Sequence, residues 1–181
     1  QVPTGDKDLM GLRRAALGVI RILIERGHRV SLPALAELAF DAFDGVAAVT
    51  RQTGALLDFV YDRLRGYLRD QGYTALEVAA VIDSHPETID NLPARLAAVR
   101  AFGSLPEAES LASANKRIAN ILKKSGGDAA PAVDRALLND GAEHDLYAAV
   151  QSLLPVVHAH VHRGDYTAAL RALASARGPV D

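Results

Sequence analysis

Apolar residues recur at spacings of three and four through almost the whole 181-residue chain. Nowhere do β-branched residues alternate with polar ones for more than a few positions. Such spacing builds helices with one apolar face, and faces of that kind are buried by packing helix on helix. The expectation is an all-α fold, a helical bundle of about eight helices. Hydrophobic residues make up 49%, enough for a real core. Aromatics are only 5% and Trp is absent, so leucine, isoleucine, valine and alanine must fill it.

Punctuation by Gly, Pro and capping residues divides the chain. Leu12, Ala16, Val19, Leu23 and Ile24 form a stripe on a first helix, with Asp6 or Asp8 able to cap it and Gly27 ending it. Ser31 caps a second helix, with Pro33 in its first turn and Leu35, Leu38 and Ala39 expected inward. A third helix is expected from about Thr50 to Gln71, stopping at Gly72. Thr74 and Glu77 make a capping box for a fourth, which Pro86 breaks. Asp90 or Asn91 opens a fifth that carries Leu96, Val99 and Phe102, and Pro106 starts a sixth that reaches Lys124. Ser125-Gly126-Gly127-Asp128 reads as the clearest flexible joint. A short helix around Pro131–Leu138 should follow. A long one should then run to Arg163 across Pro155, and a last one should close at Gly178-Pro179.

Several function classes drop out. With no cysteine there are no disulfides, thiolate nucleophiles, Cys-ligated zinc or iron–sulfur clusters in this chain. No apolar run approaches the roughly 18 residues of a membrane span, so no membrane partner is expected. The opening Gln1–Asp6 lacks a basic stretch before an apolar run and is not read as a signal peptide; the expectation is a piece of a longer polypeptide. No P-loop, G-x-G-x-x-G or G-x-S-x-G occurs, so no catalytic residue is assigned. Glu143-His144-Asp145 fits the acid-rich first turn of a helix better than a metal site. His158 and His162 share a helix face, with no third ligand at a persuasive spacing. Together with His160 they read as a polar helix end, and no metal is assigned.

Net charge is −2, which excludes a globally basic nucleic-acid binder, yet the charge is unevenly spread. Residues 31–94 carry four Lys/Arg against ten acids, and residues 95–124 carry six against two. The second stretch contains the sixth helix. At about 100° per residue, Leu111, Ile118 and Leu122 fall within about 40° of one another and are expected to form its core stripe. Lys116, Arg117, Asn120, Lys123 and Lys124 occupy an arc of roughly 120° away from that stripe. Cations and an amide on one surface are what a helix needs to meet phosphates and base edges. The same pattern also fits a solvated helix end whose cations answer the dipole. Asn115, at the edge of the stripe, is expected to be buried or half-buried. On the third helix Arg65 and Arg69 are expected to form an ion-pair ladder with Asp58 and Asp62, leaving Arg63 free on the flank.

Four stretches together resemble the beta subunit of bacterial glycyl-tRNA synthetase. They are Asp6-Lys7-Asp8 with Leu12 to Ile22, Phe59 to Leu68, Ala114 to Lys124, and Gly164-Asp165-Tyr166 with Pro179-Val180-Asp181. They span the chain in the family's order. The family usually has Pro where this chain has Leu9, and it continues past Asp181 into an apolar tail. The resemblance implies a C-terminal helical anticodon-binding domain of the DALR type at residues 49–181, preceded by the tail of the subunit's body at residues 1–48. It implies a cytoplasmic enzyme of alpha and beta subunits that joins glycine to its tRNA. Glycine activation with ATP and magnesium would fall to the alpha subunit, and no cofactor to this portion. The partners implied are tRNA for glycine, the alpha subunit and the rest of the beta subunit. Carried over as RNA-facing are Lys116, Arg117, Asn120, Lys123 and Lys124, with Arg63 and Arg65 second. The competing reading is a non-catalytic helical module that only docks subunits.

Overall fold

The computed structural model describes residues 10–124, 133–139 and 141–175. Among the described residues the regular structure is entirely helical, as the spacing predicts, with eight α-helices and one 3-10 turn. The helices are α1 (Leu12–Glu25), α2 (Leu32–Asp41), α3 (Thr53–Asp70), α4 (Ala75–Ile82), α5 (Leu92–Gly103), α6 (Ala108–Lys124), α7 (Gly141–His162) and α8 (Tyr166–Ala174). The short helix expected near 131–138 is a single 3-10 turn, Arg135–Leu137, capped by the Asp134 carboxylate. Among the described residues no helix is long and apolar enough to cross a membrane. The caps expected at Asp6 or Asp8, the joint at Ser125–Asp128 and the stop at Gly178-Pro179 lie outside the described residues.

The chain divides into two compact units, Gln1–Leu96 and Ala97–Asp181. In the first unit α1, α2 and α4 all pack on α3. Tyr61, Leu64 and Leu68 give α3 a buried face, and Ile20, Leu23, Leu32, Ala36, Val78, Val81 and Ile82 are buried on the helices around it. Full burial of each large aliphatic side chain contributes about 1.5–3 kcal/mol. The Tyr61 hydroxyl donates to the Pro86 carbonyl at 3.0 Å, so the one polar atom on this face is satisfied. Burial, and secondarily the charge of Glu87, push the Tyr61 phenol above its ordinary range.

Local signals hold where they depend on near neighbours. Ser31 Oγ accepts from the Ala34 amide, and Thr74 and Glu77 form both bonds of the capping box. Phase around the helix axis is another matter. On α1 the buried residues are Ile20 and Leu23, while Leu12 and Val19 of the expected stripe are exposed. On α2 Leu32 and Ala36 are buried, and Leu38, expected inward, is 65% exposed. Both helices are apolar over a wider arc than α3 covers. Leu12 and Val19, with Leu35 and Phe40, line an open groove of about 450 Å³ between α1, α2 and α3.

In the second unit α7 and α8 pack as a helical hairpin. Gly164, at φ 73°, makes the turn, and Asp165 caps α8 by accepting from the Ala168 amide at 3.0 Å. Alanine lies at the points of burial: Ala98, Ala108, Ala169 and Ala174.

Candidate nucleic-acid interface

The sequence of α6 favours a helix at both ends. Glu109 sits in the first turn and Lys123 and Lys124 in the last, each matching the sign of the helix dipole. Its first half is anchored: Ala108 is buried, and Ser110, Leu111 and Ala114 are half-buried. From Asn115 to Lys124 every residue is exposed.

That corrects two expectations. Asn115 is exposed, not buried. The stripe of Leu111, Ile118 and Leu122 is covered only at Leu111, since Ile118 is 46% and Leu122 44% exposed. The reason is physical: an apolar stripe is buried only where another element covers it, and among the described residues none covers the second half of α6.

On the other side the arc is formed as the periodicity predicts. Lys116, Arg117, Asn120 and Lys124, with Ser113 and Ile121, line one shallow depression, and Lys123 continues the arc beside it. Among the described residues no ion-pair partner is found for Lys116, Arg117, Lys123 or Lys124. Four cations within three turns of helix, unopposed and solvated, form a local positive surface on a chain whose net charge is −2.

Arg63 and Arg65 belong to α3, in the other unit. Arg63 pairs with Asp62 and stacks over the Phe59 ring at 5.8 Å. Its Nε is buried without a hydrogen-bond partner. Arg65 donates to Asp83 at 2.6 Å. The expected ladder along α3 is therefore replaced: Asp62 turns to its sequence neighbour Arg63, and Arg65 takes a carboxylate that α4 brings from 18 positions away. Exposed pairs of this kind contribute only about 0–1 kcal/mol, so a phosphate can compete for either guanidinium.

The acid and histidine clusters are accounted for locally. Glu143 accepts from the Asn139 amide at 2.8 Å at the start of α7. His160 Nδ1 lies 3.2 Å from Arg163 Nη2 and 3.9 Å from an Asp165 carboxylate oxygen, at the hairpin turn. Missed in the sequence was Arg51, which bonds Glu37 at 2.6 Å and Asp41 at 2.5 Å and reaches Asp44 at 3.4 Å. Thr53 Oγ1 donates to the same Glu37 carboxylate. Spacings of 7 to 16 residues across an irregular connection give no periodic signal by which this cluster could have been found.

Comparison with known proteins gives these features a setting. Residues 1–83 match the family described as glycyl-tRNA synthetase beta subunit. The glycine–tRNA ligase beta subunit of Polaromonas naphthalenivorans (strain CJ2) is 52% identical over 180 residues, covering 99% of this chain and 25% of that protein. The corresponding subunit of Ralstonia nicotianae (strain ATCC BAA-1114 / GMI1000) is 50% identical over 99% of this chain and 26% of that protein. That of Janthinobacterium sp. (strain Marseille) is 51% identical over 100% and 26%. The class is thus that of aminoacyl-tRNA synthetase subunits. Within it, residues 1–83 match the glycyl-tRNA synthetase beta-subunit family, and the chain is similar to such subunits along almost its whole length. It spans about a quarter of the length of the relatives it matches.

Proposed function

We propose that this chain supplies tRNA binding, at the anticodon, to an enzyme that joins glycine to its tRNA. The observation that carries the reading is the uncovered cationic arc of α6, with Asn120 inside it. Unpaired lysines are suited to phosphates, which position an RNA. A side-chain amide can read a base edge in an unstacked loop. In this reading residues 49–181 form a DALR-type anticodon-binding domain, and residues 1–48 are the tail of the subunit's body. Arg63 and Arg65 are secondary contacts that must first release their carboxylates. Glycine activation with ATP and magnesium lies in a separate alpha subunit, so no residue of this chain is assigned to it. The whole assembly works in the cytoplasm.

The test is a salt titration of tRNA binding by the assembled enzyme. Lys123→Ala with Lys124→Ala is expected to weaken matched and altered anticodons alike. It should flatten the salt dependence by roughly 0.7 in slope per lost single-strand contact. Asn120→Ala is expected to reduce discrimination, by about 1–3 kcal/mol for a bidentate contact. Folded variants with unchanged affinity, slope and discrimination would leave the arc a merely solvated face and favour the docking module.

A further inference from the structure

A second cleft of the first unit is charged. Its volume is about 440 Å³, and its walls include Arg65, Gly66 and Arg69 of α3 with Ala75 and Ala79 of α4. The charged side chains in it are Arg63, Arg65 and Arg69 against Asp62 and Asp70. Asp62 is taken by Arg63, and Arg65 is held by Asp83, which is not a wall residue. Arg69 is exposed, and among the described residues no ion-pair partner is found for it.

Two features of this cleft work against the helix that carries them. Arg65 and Arg69 stand at i and i+4 of α3, and like charges at that spacing destabilise a helix. Gly66 lies between them in the helix interior, where glycine is less stable than alanine, although a Cβ there would meet nothing within 4 Å. The dipole at the end of α3 accounts for a cation at Arg69. It accounts for neither the second cation nor the glycine. An anion seated between the two guanidiniums accounts for both. Its charge offsets their repulsion, and the missing side chain lets it come close to the helix backbone.

We propose that this cleft is a second seat for tRNA, taking a backbone phosphodiester between Arg65 and Arg69 over Gly66. It rests on the reading that the chain binds tRNA, and it adds a contact in the unit that does not contain α6. Guanidiniums match phosphate oxygens in geometry as well as charge, so the seat positions the RNA without reading its sequence. Asp83 is the internal competitor. Its pair with Arg65 is exposed and contributes little, so a phosphate exchanges for the carboxylate.

The experiment is a salt titration of tRNA binding by the assembled enzyme, with thermal unfolding of each variant. Arg69→Gln is expected to weaken binding at least about threefold for matched and altered anticodons alike. It should flatten the salt dependence by roughly 0.7–0.9 in slope. Gly66→Gln fills the cleft with an uncharged side chain of good helix propensity. It is expected to raise the thermal midpoint and yet weaken tRNA binding, a split that a merely structural glycine would not give. Asp83→Asn removes the competitor and is expected to tighten binding, by up to about fivefold. Arg29→Gln removes an exposed cation outside the cleft and is expected to leave the slope unchanged. An unchanged slope in Arg69→Gln overturns the proposal, as does normal tRNA binding by Gly66→Gln or an equal loss in Arg29→Gln. So does an Arg69→Gln variant that keeps tRNA and loses the other subunit, which would give the cleft to a protein. Lys123→Ala with Lys124→Ala is read in the same titration. An effect there without one at Arg69 removes only this seat, and an effect at Arg69 without one there removes only the arc on α6.

Discussion

Leu64 has no exposed surface and lies on the buried face of α3, a helix on which three others pack. Leu64→Ala is expected to cost roughly 2–5 kcal/mol, read by denaturant unfolding. Tyr61, one turn earlier, ties stability to alkaline pH. Its phenol is raised above the ordinary value of about 10, so the fold favours the neutral form. That contribution is fully present below pH 10 and is lost as pH rises through the folded pKa. Tyr61→Phe is expected to flatten this alkaline limb, while losing about 0.5–1.5 kcal/mol at neutral pH with the hydrogen bond to Pro86. Glu37 behaves in the opposite sense. The Thr53 hydroxyl, then Arg51, hold its carboxyl below the ordinary range, so the link between α2 and α3 weakens as pH falls. Thr53→Val should return the Glu37 carboxyl toward its ordinary titration, as NMR would follow directly. Pairings of this kind were the least legible feature of the sequence. Arg65 had carboxylates at the right helical spacing and took Asp83 from another helix instead.

Two glycines, one inside α3 and one just past its end, separate what a helix tolerates from what it needs. Gly66 lies in the helix interior, and a Cβ there would meet nothing within 4 Å. Gly66→Ala is expected to stabilise by about 0.5–1 kcal/mol. Gly72 has φ 85° just past the helix end, and Gly72→Ala is expected to destabilise by roughly 1–2 kcal/mol. Opposite shifts in thermal midpoint would show both at once; shifts of the same sign would contradict the assigned backbone at one of them. Helix existence and the caps at Ser31 and Thr74 were readable because each depends on residues within one turn. Which apolar residues point inward was not. Leu38 and Val19 belong to apolar arcs broader than the neighbours that cover them. The candidate site divides in the same way: the cationic arc of α6 follows from spacing alone, while the exposure of Asn115 depends on what packs nearby.

The two units are built from different material. Buried leucine, isoleucine, valine and tyrosine hold the first, and among the described residues the buried positions of the second are alanines. Amide hydrogen exchange should therefore be slowest in α3 and α4 and faster in the exposed half of α6, and uniform protection across both units would contradict this. The alanines also fix which inherited changes each unit can survive. In the first unit harm comes from loss of volume, as at Leu64. In the second, a side chain one methyl long sets how closely α8 approaches its neighbour, and harm comes from added volume. Ala169→Leu is expected to cost about 1–3 kcal/mol through overpacking. Mutational drift toward smaller residues would therefore erode one half of this chain, and drift toward larger ones the other.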